Sequence, residues 1–432
     1  MAEWVERQWI PIGGSGLGRR ARVGGKYQAF CPDPLGSRGL SLPTELSRSA
    51  SRTEQKILEL SDRGTRRQSD SGAGLEGIAR FLLRSEAISS SRIEGMAPGP
   101  DKVAIAELTA KDTGARVASV PQLVANNVSV LQQMSGQLHE ADEMTVEDIV
   151  AAQALLLGDL DNSGLREKQN WIGGSSYSPL EAEFVPPPPE RVPELMDDLV
   201  DYLNGATHGA VIQAAMVHAQ FETIHPFADG NGRVGRALIH AVLQRRGLVD
   251  SPVLPISMIL GTWSDRYVHG LTRFRDTTPD STGVLEWIDI FVQATAEAAD
   301  HAQRIAGELE SLRQEWRERV ADHRRQQGKT RGLRTDSMGW KILENLPDHP
   351  LLTGPVAAEV FGTSRTSAGK ALESLVEAGV LRKKSIDRGV TGYLADEVFD
   401  LITIAERRLA STRFDTAVAP PTARAVPELP DR

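Results

Sequence analysis

Two apolar helical stripes flank the stretch HPFADGNGRVGR, residues 225–236, and they constrain the fold more than any other part of the sequence. Ala214, Val217, Phe221 and Ile224 recur at spacings of three and four, and Val234, Ala237, Leu238, Ala241 and Val242 repeat the pattern on the far side. Each set describes one face of a helix. Arg245, Arg246 and Gly247 read as the end of the second helix, a basic last turn followed by a left-handed glycine. The stretch is therefore a loop between two helices, and it feeds the N-terminus of the second.

The loop's residue types point to chemistry. Gly230, Asn231 and Gly232 precede a helix, so their turn exposes backbone N–H groups beside unpaired helix donors and a positive dipole end. That is an anion site, most naturally for phosphate. Arg233 and Arg236 lie three apart on the first helical turn and can both fork onto phosphate oxygens. Asp229 offers a hard carboxylate oxygen, which beside phosphates suits Mg²⁺. His225, at the loop's entrance, is the one group there able to take a proton near neutral pH. Phe227 is expected to face inward and anchor the loop. Phosphates, a metal and a base together read as phosphoryl or nucleotidyl transfer to a hydroxyl, a chemistry that needs positioning and charge stabilisation. A lone histidine is usually structural and a lone Gly-Asn-Gly usually a turn. Here both share a loop with a carboxylate and two phased arginines.

The rest of the chain sets the frame. Its 432 residues imply more than one domain. One cysteine, Cys31, excludes an intramolecular disulfide and fits a reducing, cytoplasmic setting. The start shows no basic and apolar secretory signal. No stretch approaches the roughly 18 apolar residues of a membrane span, so no membrane partner is expected. A net charge of −9 argues against general nucleic-acid binding, although a local basic patch remains compatible with it.

Residues 1–52 are expected to be an irregular lead-in, on the Gly, Pro, Ser and Arg content of 11–53. Helical pattern runs from about Thr53 and ends near SSRIEG, 90–95, then resumes after Thr145, an N-cap candidate. Within 164–189 two short strand-like pieces, around Asn170–Ile172 and Glu183–Val185, flank a Gly/Ser/Pro tip and suggest a hairpin. The prolines at 186–189 make a stiff exit. Residues 284–327 are expected to form a long exposed helix, and 327–332 a linker. Short helices at 338–346, 353–362 and 363–381, followed by a basic hairpin at 382–394, have the order of a winged helix-turn-helix. Residues 411–432 read as a disordered tail.

HPFADGNGRVGR closely resembles the signature of the Fic family, H-x-F-x-D/E-G-N-G-R-x-x-R, at every fixed position, and the wider resemblance covers roughly 40–300. It implies a mainly α Fic-type helical core with a β-hairpin flap, and protein adenylyltransferase activity: AMP moves from ATP to a Ser, Thr or Tyr hydroxyl and pyrophosphate leaves. By this resemblance His225 is the general base, Asp229 holds Mg²⁺ between the α- and β-phosphates, and Gly230, Asn231 and Gly232 form the anion hole. Arg233 binds the phosphates and Arg236 orients the γ-phosphate. The piece near 170–185 resembles the flap that docks the target protein by strand addition. WSDRYVHGL, 263–271, resembles the segment that walls the adenine, with Tyr267 as the stacking candidate.

SSRIEG resembles a second family signature, S/T-x-x-x-E-G/N, filled by Ser90 and Glu94. Glu94 would pair with Arg236, deny it to the γ-phosphate and set a carboxylate against phosphate. An ordinary helix-end glutamate followed by a capping glycine is the bland alternative. The implied organisation is a lead-in (1–52), a helical extension with the inhibitory motif (53–110), the catalytic domain (111–300), a linker helix (301–332), a winged-helix domain (333–400) and the tail. The winged unit could contact DNA through Ser364, Arg365, Thr366, Ser367, Lys370 and the wing residues Arg382, Lys383, Lys384 and Arg388, or could serve protein contacts. Other outcomes left open are AMP removal, transfer of another phosphate-containing group, a nucleotide-sensing transcriptional regulator, and homodimerisation.

Overall fold

The computed structural model describes residues 2–11, 23–71, 78–109, 119–135, 143–158, 163–175, 177–205, 207–249, 254–278, 281–329 and 332–412, with backbone only at 61–71 and 405–412. It is mainly α. The central element is helix α7 (Ala210–Ile224), buried along its whole length. An apolar stripe alone does not produce that. Its glutamines are inside because their amides find carbonyl partners. Gln213 donates to the carbonyls of Tyr202, Leu203 and Gly205, and Gln220 donates to that of Asp33.

Helix α8 (Asn231–Arg245) packs along α7. The close approach needs Gly235, where a Cβ would lie 2.6 Å from Glu222 Oε1 and 2.9 Å from Phe221 Cδ1. The helix ends as its sequence suggests. Gly247 has φ +65°, its N–H bonds to Gln244 O at 2.8 Å, and Leu248 N–H bonds to Leu243 O at 2.9 Å, a Schellman stop.

Around this pair stand α1 (Thr44–Ser71), α2 (Ala79–Ile93), α3 (Pro100–Thr109), α4 (Val120–Ser135), α5 (Val146–Leu157), α6 (Val192–Asn204), α9 (Ile256–Thr262) and α10 (Ser264–Phe274). Thr145 caps α5 in a reciprocal box with Asp148. Helix α11 (Gly283–Gln326) is 44 residues long and buries one face along most of its length, so it is only half exposed. Its first half buries Trp287, Ile288, Phe291 and Val292 and packs on α1, α7, α9 and α10. Its second half buries Ile305, Leu309, Leu312 and Trp316, and Trp316 Nε1 donates to Glu397 at 2.6 Å. The expected 301–332 linker is thus the continuation of a helix that begins in the core.

The lead-in is not irregular. Strands β1 (Glu3–Trp9) and β2 (Gly25–Cys31) pair antiparallel, Glu3 opposite Cys31, and α1 starts at Thr44, ahead of the expected Thr53. Residues 12–22 lie outside the described set. The 170–185 segment is less regular than a hairpin. One antiparallel bridge, Ile172 with Phe184, holds it, and Gly173 and Gly174 turn with φ of 73° and 70°. Phe30 N–H bonds to Val185 O at 2.9 Å, so β2 braces this segment from outside.

The C-terminal unit comprises α12 (Met338–Glu344), β3 (Leu351–Leu352), α13 (Gly354–Val360), α14 (Arg365–Glu377), β4 (Arg382–Asp387), β5 (Val390–Leu394) and α15 (Asp396–Thr412). Its sheet has the order β3-β5-β4. One apolar cluster continues from the catalytic helices into it, through Trp316 and Val320 to Leu372 and Ile402. The final helix passes the expected boundary at 400, and residues 413–432 of the expected tail lie outside the described set.

Candidate active site

His225 is the C-cap of α7, with φ 49° and ψ 59°. Among the described residues no other non-glycine has positive φ. Left-handed backbone costs roughly 1–2 kcal/mol for such a residue, so the surroundings must hold it. They do. Arg166 Nε donates to His225 O at 2.9 Å, and Asn170 Nδ2 donates to His225 O at 3.1 Å and Phe227 O at 3.0 Å. Phe227 is fully buried and meets Phe221 edge-on at 5.9 Å, as expected of the anchor.

Burial, then the nearby Arg275 and Arg166 guanidiniums, push the imidazole of His225 down to about 3. It is therefore neutral at ordinary pH, with a free lone pair but a weak affinity for a proton in this arrangement. Glu222 Oε2 lies 3.8 Å from its Nδ1. Burial, the largest influence, raises that carboxyl to about 7 despite Arg236 and Arg275.

Gly230 enters α8 with φ 88°, and a Cβ there would press on Leu156 at 3.0 Å. The Asn231 side chain does not point to a ligand. Its Oδ1 accepts from Phe227 N–H and its Nδ2 donates to Phe227 O, each at 2.8 Å. Any anion contact by Asn231 is left to its backbone. Asp229 stands out from the loop with its side chain 73% exposed, Oδ1 accepting from Gly230 N–H at 2.6 Å. Arg233 is buried, and its Nε and Nη1 have no hydrogen-bond partner. Its Nη2 sits 3.6 Å from Asp229 Oδ1. Unpaired guanidinium donors are costly in a protein interior, and an anion over this turn would satisfy them.

Arg236 differs. It is 1% exposed and fully engaged: Nε donates to Ser90 Oγ at 2.9 Å, and Nη2 to Ser90 O and Glu94 Oε1, both at 2.8 Å. Glu94 reaches across the glycines, and a Cβ at Gly232 would collide with its Oε1. The capping reading holds at the same residues. Gly95 has φ +78°, its N–H bonds to Arg92 O at 2.9 Å and Met96 N–H to Ser91 O at 3.0 Å, another Schellman stop. Glu94 is thus a helix-end residue whose side chain is also aimed at Arg236.

A cavity of about 460 Å³ opens beside this cluster, lined by Arg92, Ile93, Met258, Gly261, Tyr267 and Val268 among others. That size suits a base or similar ring. Tyr267 is 5% exposed, its ring stacks on His218 at 5.8 Å and its hydroxyl bonds His218 Nε2 at 2.8 Å. It closes the inner wall of the cavity rather than offering a free face.

Residues 143–243 match the sequence model of the Fic/DOC family, a span that contains the loop and both of its helices. That segment is a Fic domain. A protein of Aquifex aeolicus (strain VF5) named "Probable protein adenylyltransferase aq_aa38" is 35% identical over 185 residues, 41% of this chain and 52% of that protein. Protein adenylyltransferase fic-1 of Caenorhabditis elegans is 31% identical over 142 residues, 32% of this chain and 26% of that protein. The chain thus spans about half or less of the length of these curated relatives. A crystal structure of a Fic family protein from Desulfovibrio desulfuricans G20 aligns with 82% of this chain and 98% of its own, at 21% identity and a TM-score of 0.46.

Several residues of the Fic domain's site escaped the sequence reading. Arg166 precedes, and Asn170 opens, the stretch read as a hairpin, and neither was singled out. Gln153 donates to Asp229 O at 3.2 Å. Glu86, fully buried on α2, bonds His240 Nε2 of α8 at 2.9 Å and Ser257 N–H of α9 at 2.9 Å, pinning α2 to the catalytic helix. A charged residue inside an apolar helical stretch was the available signal. On the C-terminal unit, Ser364 Oγ caps α14, while Arg382, Lys383 and Lys384 pair with Asp396, Glu373 and Asp101. Arg365, Thr366, Lys370 and Arg388 are exposed.

Proposed function

We propose that the chain is a protein adenylyltransferase held back by Glu94. The observation that carries this reading is the neutral His225 facing an anion cradle whose Arg233 donors are unpaired, while Glu94 occupies Arg236. The names of the relatives favour ATP as donor and a protein as acceptor. The triphosphate would lie over Gly230 and Gly232 at the α8 N-terminus, with Arg233 on its oxygens and the base in the 460 Å³ cavity. A Ser, Thr or Tyr hydroxyl of the target, laid along the 170–185 segment, would give its proton to His225 while its oxygen attacks the α-phosphorus. The bond to the β-phosphate oxygen breaks and pyrophosphate leaves.

Asp229 fits a magnesium ion that takes one protein carboxylate and fills its shell with phosphate oxygens and water. Its second oxygen points outward, and no cluster of three or more His, Cys, Asp or Glu exists among the described residues to hold a metal otherwise. Bound there, Mg²⁺ would neutralise phosphate charge.

Glu94 opposes this pose in two ways. It keeps Arg236 from a terminal phosphate, and its carboxylate repels one. ATP would then bind with its α-phosphate poorly aimed. We place the C-terminal unit as a winged helix whose basic strand is used within the chain, since Lys384 pairs with Asp101 on α3.

The test is self-labelling from α-labelled ATP and Mg²⁺ by the parent, Glu94→Gly, and Glu94→Gly/His225→Ala. Labelling should rise at least tenfold in the second, equivalent to about 1.4 kcal/mol of barrier, and vanish in the third. Equal labelling in all three would end the proposal. Labelling only from UTP, GTP or CTP would keep the site and change the donor.

A further inference from the structure

His225 adopts a backbone conformation that no other described non-glycine shares, and one buried side chain accounts for it. Arg166 is 6% exposed. Its guanidinium donates to main-chain carbonyls at both ends of the 170–185 segment and at the catalytic loop: Lys168 O at 3.3 Å, Pro187 O at 2.5 Å, Ile224 O at 3.4 Å and His225 O at 2.9 Å. Its own N–H bonds Pro226 O at 2.8 Å. A buried charge matched by dipoles is expensive to keep. An apolar side chain of the same volume would fill the space without that cost, so the donors and the charge are what the site retains.

We infer that Arg166, with Asn170 beside it, positions His225 as the base, by clamping the left-handed loop backbone and tying it to the segment that receives the target. The inference rests on the transferase reading of the site. Asn170 adds donors to His225 O and Phe227 O, so the two residues together saturate the carbonyl that the strained turn exposes. The charge matters as well as the fork. The groups facing His225 are Glu222 on α7, Arg275 at the end of α10, and Arg166. Glu222 alone would favour imidazolium. Arg275, whose Nη2 donates to Glu222 O at 3.3 Å, and Arg166 oppose it. Loss of Arg166 should therefore let the imidazole protonate at higher pH and let its backbone relax.

Arg166→Met, Arg166→Lys and Asn170→Ala are to be made in the Glu94→Gly background. Two readouts are needed. One is kcat and the KM for ATP. The other is the titration of the His225 ring by NMR on histidine-labelled protein, its signal identified by loss in His225→Ala. Arg166→Met should lower kcat at least tenfold with the KM for ATP within threefold, and shift the His225 midpoint upward. Arg166→Lys should keep the parental titration yet lose most of kcat, because one ammonium cannot reach four carbonyls. Asn170→Ala should lower kcat severalfold with the titration unmoved. If Arg166→Met does not fold, the lysine and Asn170 variants decide. Parental kcat and parental titration in the folded Arg166 variants would overturn the inference. So would parallel losses of kcat and ATP affinity with the His225 titration unmoved in all of them. Absence of transfer in Glu94→Gly itself would count against the functional reading, while the NMR titration would still decide what Arg166 does to His225.

Discussion

Asn231 closes the catalytic loop on itself. Both ends of its amide are bonded to the backbone of Phe227, so its side chain shapes the loop and faces no ligand. Asn231→Ala would leave the buried Phe227 N–H unpaired, with Asn170 alone on Phe227 O, which costs about 1–3 kcal/mol. The melting temperature should fall and transfer should fall with it. An unchanged melting temperature would mean the loop is held elsewhere. At this scale the motif was legible where backbone demands a residue type: Gly230 for left-handed backbone, Gly232 and Gly235 for crowded backbone. It was not legible where a side chain serves the backbone. Asn231, Arg166 and Asn170 act through carbonyls and N–H groups that no spacing in the sequence reveals.

Helix α2 is the element on which the proposed restraint depends. Glu86 fixes it to α8 and α9, Asn127 of α4 donates to Ala87 O at 3.1 Å, and Gly95 stops it so that Glu94 meets Arg236. Gly95→Ala forces a Cβ into left-handed backbone, costing about 1 kcal/mol. The last turn should fray and basal self-labelling should rise severalfold although Glu94 is retained. Labelling at the parental level would show that the aim of Glu94 does not depend on this stop. Helices such as α7 and α8 were legible from their apolar period. Strands β1 and β2 were missed because Gly, Pro and Arg around them masked short runs such as EWVERQW and GKYQAFC, which gain their partner only across a long connection. The burial of α11 was missed for a related reason. One apolar face is visible in sequence, but two successive sets of neighbours are not.

Across the whole molecule, buried histidines set the response to acid. Burial holds His218 and His225 at about 3 and His301 and His349 at about 4, against an ordinary 6.5. The unfolded chain protonates first, so this stability is complete above pH 6.5 and is lost as pH falls below it. Glu222 at about 7 and Asp348 at about 6 act the other way, their contribution fading as pH rises through those values. The histidines outnumber them, so stability falls as pH drops from 6 to 5. The melting temperature should drop across that interval, and a flat profile would contradict the burial of these rings. Trp287, fully buried between α11 and α7 with Nε1 donating to Ala215 O at 2.8 Å, bears on the same scale. Trp287→Ala should cost about 3–5 kcal/mol in denaturant unfolding, and a loss below 1 kcal/mol would place the core elsewhere.

The central claim is that Glu94 restrains transfer through Arg236, and a double-mutant cycle addresses it directly. Self-labelling rates are compared for the parent, Glu94→Gly, Arg236→Met and the double variant, under one ATP and Mg²⁺ concentration. If Glu94 acts by occupying Arg236, Glu94→Gly gains at least tenfold in the parent and almost nothing once Arg236 is gone. A gain that survives Arg236→Met undiminished would contradict the account.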